Sequence, residues 1–281
     1  MSRLLFLNHL RWYGRWPAKW AALALTLLAV CYPYPGVLVR QLSRIGDPDR
    51  LVDPHAPSLQ PLLDELRPQL ADDPAPREAL KRVERFVYRK VPYDWDWNVW
   101  GVSDYWPTVE EVLAMGREDC DGQAVVAASL LRGLGFDAHL AGSLVHMWVE
   151  TAHGDAMSPT GRKSMVATDD GLRFNWEALA DIPKSAAFGI AVFPLTREVI
   201  VVVVFWWLLL GCGSQRRSAA GLTLLLGGLL LLRWLCTDFT TMNGWIPVPG
   251  AALITAGVVV MFRRARGKEA GEEFVKVNRP A

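Results

Sequence analysis

Two residues near the middle of the chain have the types needed for covalent chemistry. Cys120 lies in Arg117-Glu118-Asp119-Cys120-Asp121-Gly122-Gln123-Ala124, which runs into the apolar stretch Val125 to Leu131. His146 opens the β-type run His146-Met147-Trp148-Val149-Glu150. A thiol in the first turn of a helix meets partial positive charge and free N–H groups, which favour thiolate. A histidine on a nearby strand takes the proton and later returns it. The gap between the two leaves room for a helix, a turn and a strand. His139 and His153 compete for the same role, but His146 opens an apolar strand, with Trp148 on its own face two residues on.

The cysteine count sharpens the reading. Of Cys31, Cys120, Cys212 and Cys236, three lie in or beside strongly apolar stretches and only Cys120 lies in the mixed-composition middle of the chain. Cysteines outside the bacterial cytoplasm are usually paired, so a lone thiol there points to reactivity. The competing reading is a structural cysteine, since free cysteine is among the most buried residue types. Asp119 and Asp121 on either side, and Gly122 leaving the approach open, favour the reactive one.

The elements that must hold these residues follow from local signals. Asp72-Asp73-Pro74-Ala75-Pro76 starts a helix running from about Ala75 to Lys90, with Leu80, Val83, Phe86 and Val87 on its buried face. Ser58 to Leu70 holds a short helix interrupted at Pro61 and Pro68. Thr108 and Glu111 make a capping box for a helix over 108–114. The helix from Cys120 stops at Arg132-Gly133-Leu134-Gly135. Strands are expected at Asp137 to Ala141 and Leu144 to Thr151, with sheet extensions at Lys163 to Thr168 and Leu172 to Phe174. Helices first and strands after give an α+β domain. Asp94-Trp95-Asp96-Trp97-Asn98-Val99-Trp100 is either an aromatic loop packed on the domain or a wall of the cleft. Read as an EF-hand it fails, with Val99 at the glycine position and Tyr105 at the glutamate position. No metal site and no cofactor is expected.

Apolar residues make up 51% of the 281 and concentrate toward the two ends. About four stretches approach the length needed to cross a bilayer. The expected organisation is a cytoplasmic N-terminus (1–19), span 1 (20–39), a linker with a short helix (40–74), the α+β domain (75–185), spans 2 to 4 (195–213, 219–236, 246–262) and a cytoplasmic tail (263–281). Arg3, Arg11, Arg15 and Lys19 precede the first span, Arg216 and Arg217 lie between the second and third, and Arg263, Arg264, Arg266 and Lys268 follow the fourth. Four spans put all three basic clusters on one side, which the positive-inside rule makes cytoplasmic. That leaves the α+β domain outside the cytoplasm, carried by the bacterial inner membrane. Leu28-Ala29-Val30-Cys31 is similar to a lipoprotein cleavage box, except that Val30 is large where a small residue belongs. The net charge of +1 gives no reason to expect a nucleic-acid partner. A transport role would call for charges inside the spans. Only Arg197, Glu198 and Arg233 qualify, and all three lie near span ends.

The stretch Arg117 to Ala124, followed by Leu130-Leu131-Arg132-Gly133-Leu134-Gly135-Phe136, resembles the cysteine motif of the transglutaminase-like superfamily. His146 to Glu150 resembles its histidine motif, and the likeness covers roughly Ala75 to Thr160. The resemblance implies a papain-like α+β fold with a Cys-His-Asp triad: Cys120 as nucleophile, His146 as base. The acid of the family lies in an Asp-Pro step after the histidine strand. Here that step reads Met157-Ser158-Pro159-Thr160, so the third member is open between Asp155, ranked first, Ser158 and Asp169. The implied reaction is attack on an amide of a protein or peptide substrate through a thioester. Hydrolysis is the first choice, with transfer to an amine as the other outcome. A catalytically silent module that binds a peptide or envelope component is the competing reading.

Overall fold

The computed structural model describes residues 12–70, 72, 74–168, 171–209 and 215–262. Its helices are α1 (Trp12–Cys31), α2 (Pro35–Arg44), α3 (Gln60–Leu66), α4 (Pro76–Lys90), α5 (Asp96–Val99), α6 (Val109–Met115), α7 (Cys120–Gly133), α8 (Ile182–Val192), α9 (Leu195–Leu209), α10 (Gln215–Leu235) and α11 (Val248–Phe262). The strands are β1 (Ala138–Gly142), β2 (Met147–Thr151), β3 (Met165–Thr168) and β4 (Gly171–Phe174). The chain divides into two compact units, one of which holds Leu28–Ala186 with Phe239–Thr241.

That unit has the expected α+β architecture. Its sheet runs β2-β1-β3-β4, antiparallel throughout. α7 is its central helix. Every residue from Asp121 to Leu131 is buried, the mark of a helix packed on all sides. Leu80, Val83, Phe86 and Val87 of α4 and Val112 of α6 join Val125, Val126, Leu130 and Leu131 in one core with Leu140 and Val149 of the sheet. Each such side chain contributes roughly 1.5–3 kcal/mol on full burial. Both ends of α7 are tied. At its start the Asp119 carboxylate accepts from Asp121 N at 3.2 Å. At its end Arg132 donates to Ala138 O at 2.7 Å and forks onto both carboxylate oxygens of Asp49.

Residues 40–57, expected as a linker, are part of this unit. Leu51, Val52 and Ala56 lie in the core, and Asp53 N donates to Ser129 Oγ of α7 at 3.0 Å. α2 is likewise engaged. Val37 packs with Val102 and Tyr105, Gln41 joins Asp104 and the Trp106 N–H, and Arg44 reaches Trp106 O and Glu111. The first expected span therefore breaks after Cys31, at Tyr32-Pro33-Tyr34. The chain turns there, and the amphipathic α2 lies along the unit.

The other unit holds α9, α10 and α11. α10 and α11 pack through two pairs of glycines. A Cβ on Gly221 would meet Gly257 O at 2.7 Å, and one on Gly228 would meet Gly250 O at 2.6 Å. Small residues that let backbones approach are the usual seam between helices in lipid. Among the described residues, α10 alone is long and apolar enough to cross a membrane, and the count rises to at most three if each of two bent helix pairs is taken as one span. The sequence expectation is about four. Pro33 interrupts the first candidate, the second is described only over Leu195–Leu209, after a bend at Pro194, and α11, starting at Val248, has 15 described residues. Residues 210–214, with Cys212, and residues 263–281, with Arg263, Arg264, Arg266 and Lys268, lie outside the described residues, as do Arg3 and Arg11. Near the span ends, Arg233 donates to Phe193 O at 2.6 Å and to Glu198 at 2.5 Å, so these two charges satisfy each other.

Candidate active site

The thiol of Cys120 sits at the first position of α7, after the N-cap Asp119. The first N–H groups of any α-helix lack intrahelical partners. In α7 that of Asp121 goes to the Asp119 carboxylate and that of Gly122 to Asp121 Oδ1, while the Cys120 N–H faces no such acceptor among the described residues. Met147, the residue after His146, has its backbone N–H close enough to the Cys120 sulfur to favour thiolate in part. The start of β2 thus lies against the thiol, one residue from the imidazole. Cys120 is partly exposed, and Cys31 and Cys236 are free thiols as well.

His146 lies just before β2 rather than within it. Its backbone carbonyl is held by Ser143 N at 2.8 Å in a tight turn. The imidazole Nε2 is 3.0 Å from the backbone carbonyl of Ser158. A carbonyl only accepts, so Nε2 carries the hydrogen and Nδ1 presents a lone pair. This is the base form needed to take a proton from a thiol. The competing histidines are placed elsewhere: His139 is on β1, 3.6 Å from Glu150, and His153 is in the exposed turn after β2.

The structure does not bring Asp155 to the imidazole. The segment after β2 turns back and pairs with it, Met157 N donating to Val149 O and Thr151 N to Asp155 O, both at 2.9 Å. Along this ladder Asp155 falls beside the far end of β2, where its carboxylate is 3.8 Å from Arg77. Ser158 falls beside the ring. Asp169 lies outside the described residues.

Ser158 is the only non-glycine residue with positive φ among the described residues, at 45°. The left-handed region costs an L-residue roughly 1–2 kcal/mol, and the following Pro159 restricts Ser158 further. Its hydroxyl donates to Glu84 Oε1 of α4. A bond to a charged acceptor contributes about 1.5–3 kcal/mol, the lower end applying at this exposed position. That is enough to offset the backbone cost. Tyr88 OH adds a second, longer bond to the same Glu84 oxygen at 3.4 Å.

Acidic side chains crowd the other flank of the thiol. One oxygen each from Asp96, Asp104 and Asp121 lies within 4.8 Å of the others, and the same holds for Asp96, Glu118 and Asp119. Asp96, Glu118 and Asp121 are buried. Burial first, and Asp119 second, push Asp96 and Asp121 far above the ordinary carboxylate range. Burial raises Glu118 to about 7, against the pull of the Trp100 N–H, and desolvation with Asp119 raises Asp104 to about 7. These are the residues that could hold a hard cation, whose ligands are carboxylate oxygens. Otherwise the set carries protons. Sequence reasoning expected no such group, because its members come from three separate segments.

The same surroundings act on the catalytic candidates. Desolvation and then Asp119 raise the Cys120 thiol well above its usual value, and the Met147 N–H pulls the other way only in part. The helix N-terminus alone would favour thiolate, but here burial and negative charge win. Burial holds His146 below its usual value. The resting site therefore holds a neutral thiol and a neutral imidazole. The aromatic run divides between the two roles weighed for it. Trp100 packs on Tyr105 with ring centroids 4.7 Å apart and bonds Glu118. Trp95 and Trp97 stack at 4.6 Å with their faces partly open. Gly122 is buried rather than open to an approaching substrate. The space of its missing Cβ is taken by Glu118, whose own Cβ would be 2.8 Å away, and by Val112 Cγ2 at 3.0 Å.

Residues 64–159 match the family model of the transglutaminase-like superfamily. The match runs from α3 to the residue after Ser158, and takes in Cys120, His146 and Glu84. A search of curated proteins finds no match to the chain.

Proposed function

From a chain that carries a transglutaminase-like superfamily domain over residues 64–159, we propose a thiol enzyme that opens amide bonds of a protein or peptide through a Cys120 thioester. One observation carries this reading: the sulfur lies at the Met147 N–H while the neighbouring imidazole is held through Nε2, which leaves Nδ1 as base. The Cys120 sulfur attacks the carbonyl carbon as its proton passes to His146. The Cys120 N–H receives the developing oxyanion. Collapse breaks the C–N bond, and the departing amine takes the proton from His146. Water, deprotonated by His146, then hydrolyses the thioester and restores the thiol. An amine in place of water gives transfer, but hydrolysis is the reading we favour. Apolar helices anchor the enzyme in the bacterial inner membrane, with the Cys120 unit outside the cytoplasm and residues 1–19 and 263–281 inside, as the basic residues Lys19, Arg216 and Arg217 favour.

The test is acyl transfer from p-nitrophenyl acetate to the purified full chain. Wild type is expected to release p-nitrophenolate in a burst and to carry acetyl on Cys120 by mass spectrometry, with H146A slowed at least tenfold in both acetylation and deacetylation. Equal rates in wild type and H146A would overturn the reading. The second reading, a catalytically silent binding module, is favoured by the neutral thiol and by Ser158 standing where the family has its acid. It predicts that outcome.

A further inference from the structure

Among the described residues, Glu84 has no ion pair. Elsewhere on α4, Glu78 pairs with Arg82 and Arg85, and Lys90 with Glu65. Glu84 instead collects two hydroxyls on one oxygen, from Ser158 and from Tyr88 on its own helix one turn on. One of these hydroxyls belongs to the single strained non-glycine residue of the described chain. The carbonyl of that same residue accepts from the imidazole. Strained backbone persists where its surroundings over-determine it, and it gathers at functional sites. The chain of contacts is continuous: Glu84 carboxylate, Ser158 hydroxyl, Ser158 carbonyl, His146 Nε2. The second partner of that carbonyl is weak, the Thr160 hydroxyl at 3.5 Å.

We propose that Glu84 is the positioning residue of the candidate active site: by gripping the Ser158 hydroxyl it keeps Ser158 left-handed, and the Ser158 carbonyl then fixes His146 as the Nε2–H tautomer, with Nδ1 left as the base. This rests on the Cys120–His146 reading above. The acid that supports the base is thus on a helix, and it acts through a backbone carbonyl rather than on the ring. An orienting group serves by fixing the tautomer and direction of the base, without itself taking the proton. A peptide carbonyl satisfies that need, provided something holds it in place. Ser158 also supplies its own hydroxyl as the handle, which explains how the site dispenses with an acid at this position. Asp155 has no part in it.

The test uses the full chain in detergent, read in two ways: the rate of Cys120 acetylation by p-nitrophenyl acetate, and the imidazole 15N shifts of histidine-labelled protein. E84A and S158G are expected to slow acetylation by about tenfold, a barrier change of ~1.4 kcal/mol, and to turn the His146 signals from the pure Nε2–H tautomer into an averaged mixture. S158G accepts the positive φ without strain but offers no handle. E84Q, whose amide oxygen still accepts the hydroxyl, should restore both readouts to near wild type, and D155N should leave both unchanged. A structural effect of Glu84 on α4 would not move the tautomer. If H146A slows acetylation while E84A and S158G leave rate and tautomer unchanged, the Glu84 proposal is wrong and the enzyme reading stands. If H146A leaves the rate unchanged, the enzyme reading fails, and an unchanged tautomer in E84A overturns the positioning claim as well.

Discussion

Replacing Gly122 by alanine is the smallest change that should dislodge the site without touching either reactive side chain. The new methyl would fall on the Glu118 side chain, within overlap of its Cγ and 2.8 Å from its Cβ, with Val112 Cγ2 at 3.0 Å behind. Glu118 is fully buried and has no room to yield. It accepts from Trp100 Nε1 and from Asp119 N, and its backbone joins Pro92 O and Asp94 N. Overpacking costs about 1–3 kcal/mol. Breaking one of the two bonds that this half-protonated side chain accepts adds about 1–1.5 kcal/mol. The helix-propensity gain of alanine over glycine returns roughly 0.5–1 kcal/mol. The net loss is about 1–4 kcal/mol, a fall in Tm on the order of 3–15 °C for a unit of this size. Thermal unfolding of the purified chain, followed by tryptophan fluorescence, measures it. The double variant G122A/E118A supplies the control, because removing Glu118 beyond Cβ clears most of the overlap. The two changes should then cost less together than the sum of their separate effects. A Tm within about 1 °C of wild type for G122A, or strict additivity in the cycle, would refute the packing account.

Three further outcomes are expected. Asp96, Asp104 and Glu118 all have folded pKa values above their unfolded ones, so the folded unit binds more protons and stability falls as pH rises from about 4 through 7 and beyond. D96N, which keeps an acceptor for the Tyr105 N–H and places a donor at the unpartnered Oδ1, should raise stability at pH 8 by roughly 1–3 kcal/mol and flatten the pH dependence in denaturant titrations. His146, held below its usual value, works with the opposite sign: its share is lost as pH falls below about 6.5. D119N keeps a good N-cap but removes the charge that helps hold Cys120 as a thiol, so iodoacetamide should label Cys120 several-fold faster at pH 7.5. An unchanged rate would mean that Asp119 does not govern the thiol. G228V pushes a side chain into Gly250 O and Ile254 and should separate α10 from α11, seen as new protease cleavage between them in detergent, whereas G227V, with open space at that Cβ, should not.

What could be read from the sequence was what is decided within a few residues. The capping box at Thr108 and Glu111, the start of α7 after Asp119 and its stop near Gly133 follow from local backbone chemistry, and all three are present. The strands shift by one to three residues, and His146 moves out of β2 into the turn before it, because the Ser143–His146 bond closes that turn. Read locally, α2 is the end of a span and the start of a linker, since its partners at Asp104, Trp106 and Glu111 are more than 60 positions away. The sequence leaves the support of the imidazole open between Asp155, Ser158 and Asp169, and Ser158 is the one beside the ring, through its backbone rather than its side chain. A peptide carbonyl leaves no trace in residue types, and Glu84 precedes the whole motif. Gly122 was read for the space it leaves, when that space is already filled from the neighbouring loop.

The glycine seam between α10 and α11 has a consequence for depth in a bilayer. Its two contacts, Gly221 with Gly257 and Gly228 with Gly250, are seven residues apart on each helix, like two pins through a hinge plate. Sliding one helix along the other by a single residue would drive a side chain into a carbonyl at both pins, so the pair has one register. At 1.5 Å per residue the 21 residues of α10 extend about 31 Å and the 15 of α11 about 22 Å. The shorter helix is thus pinned at a fixed height on the longer one and is not free to float toward its own preferred level. In a membrane the two helices would therefore take any change of depth or tilt together.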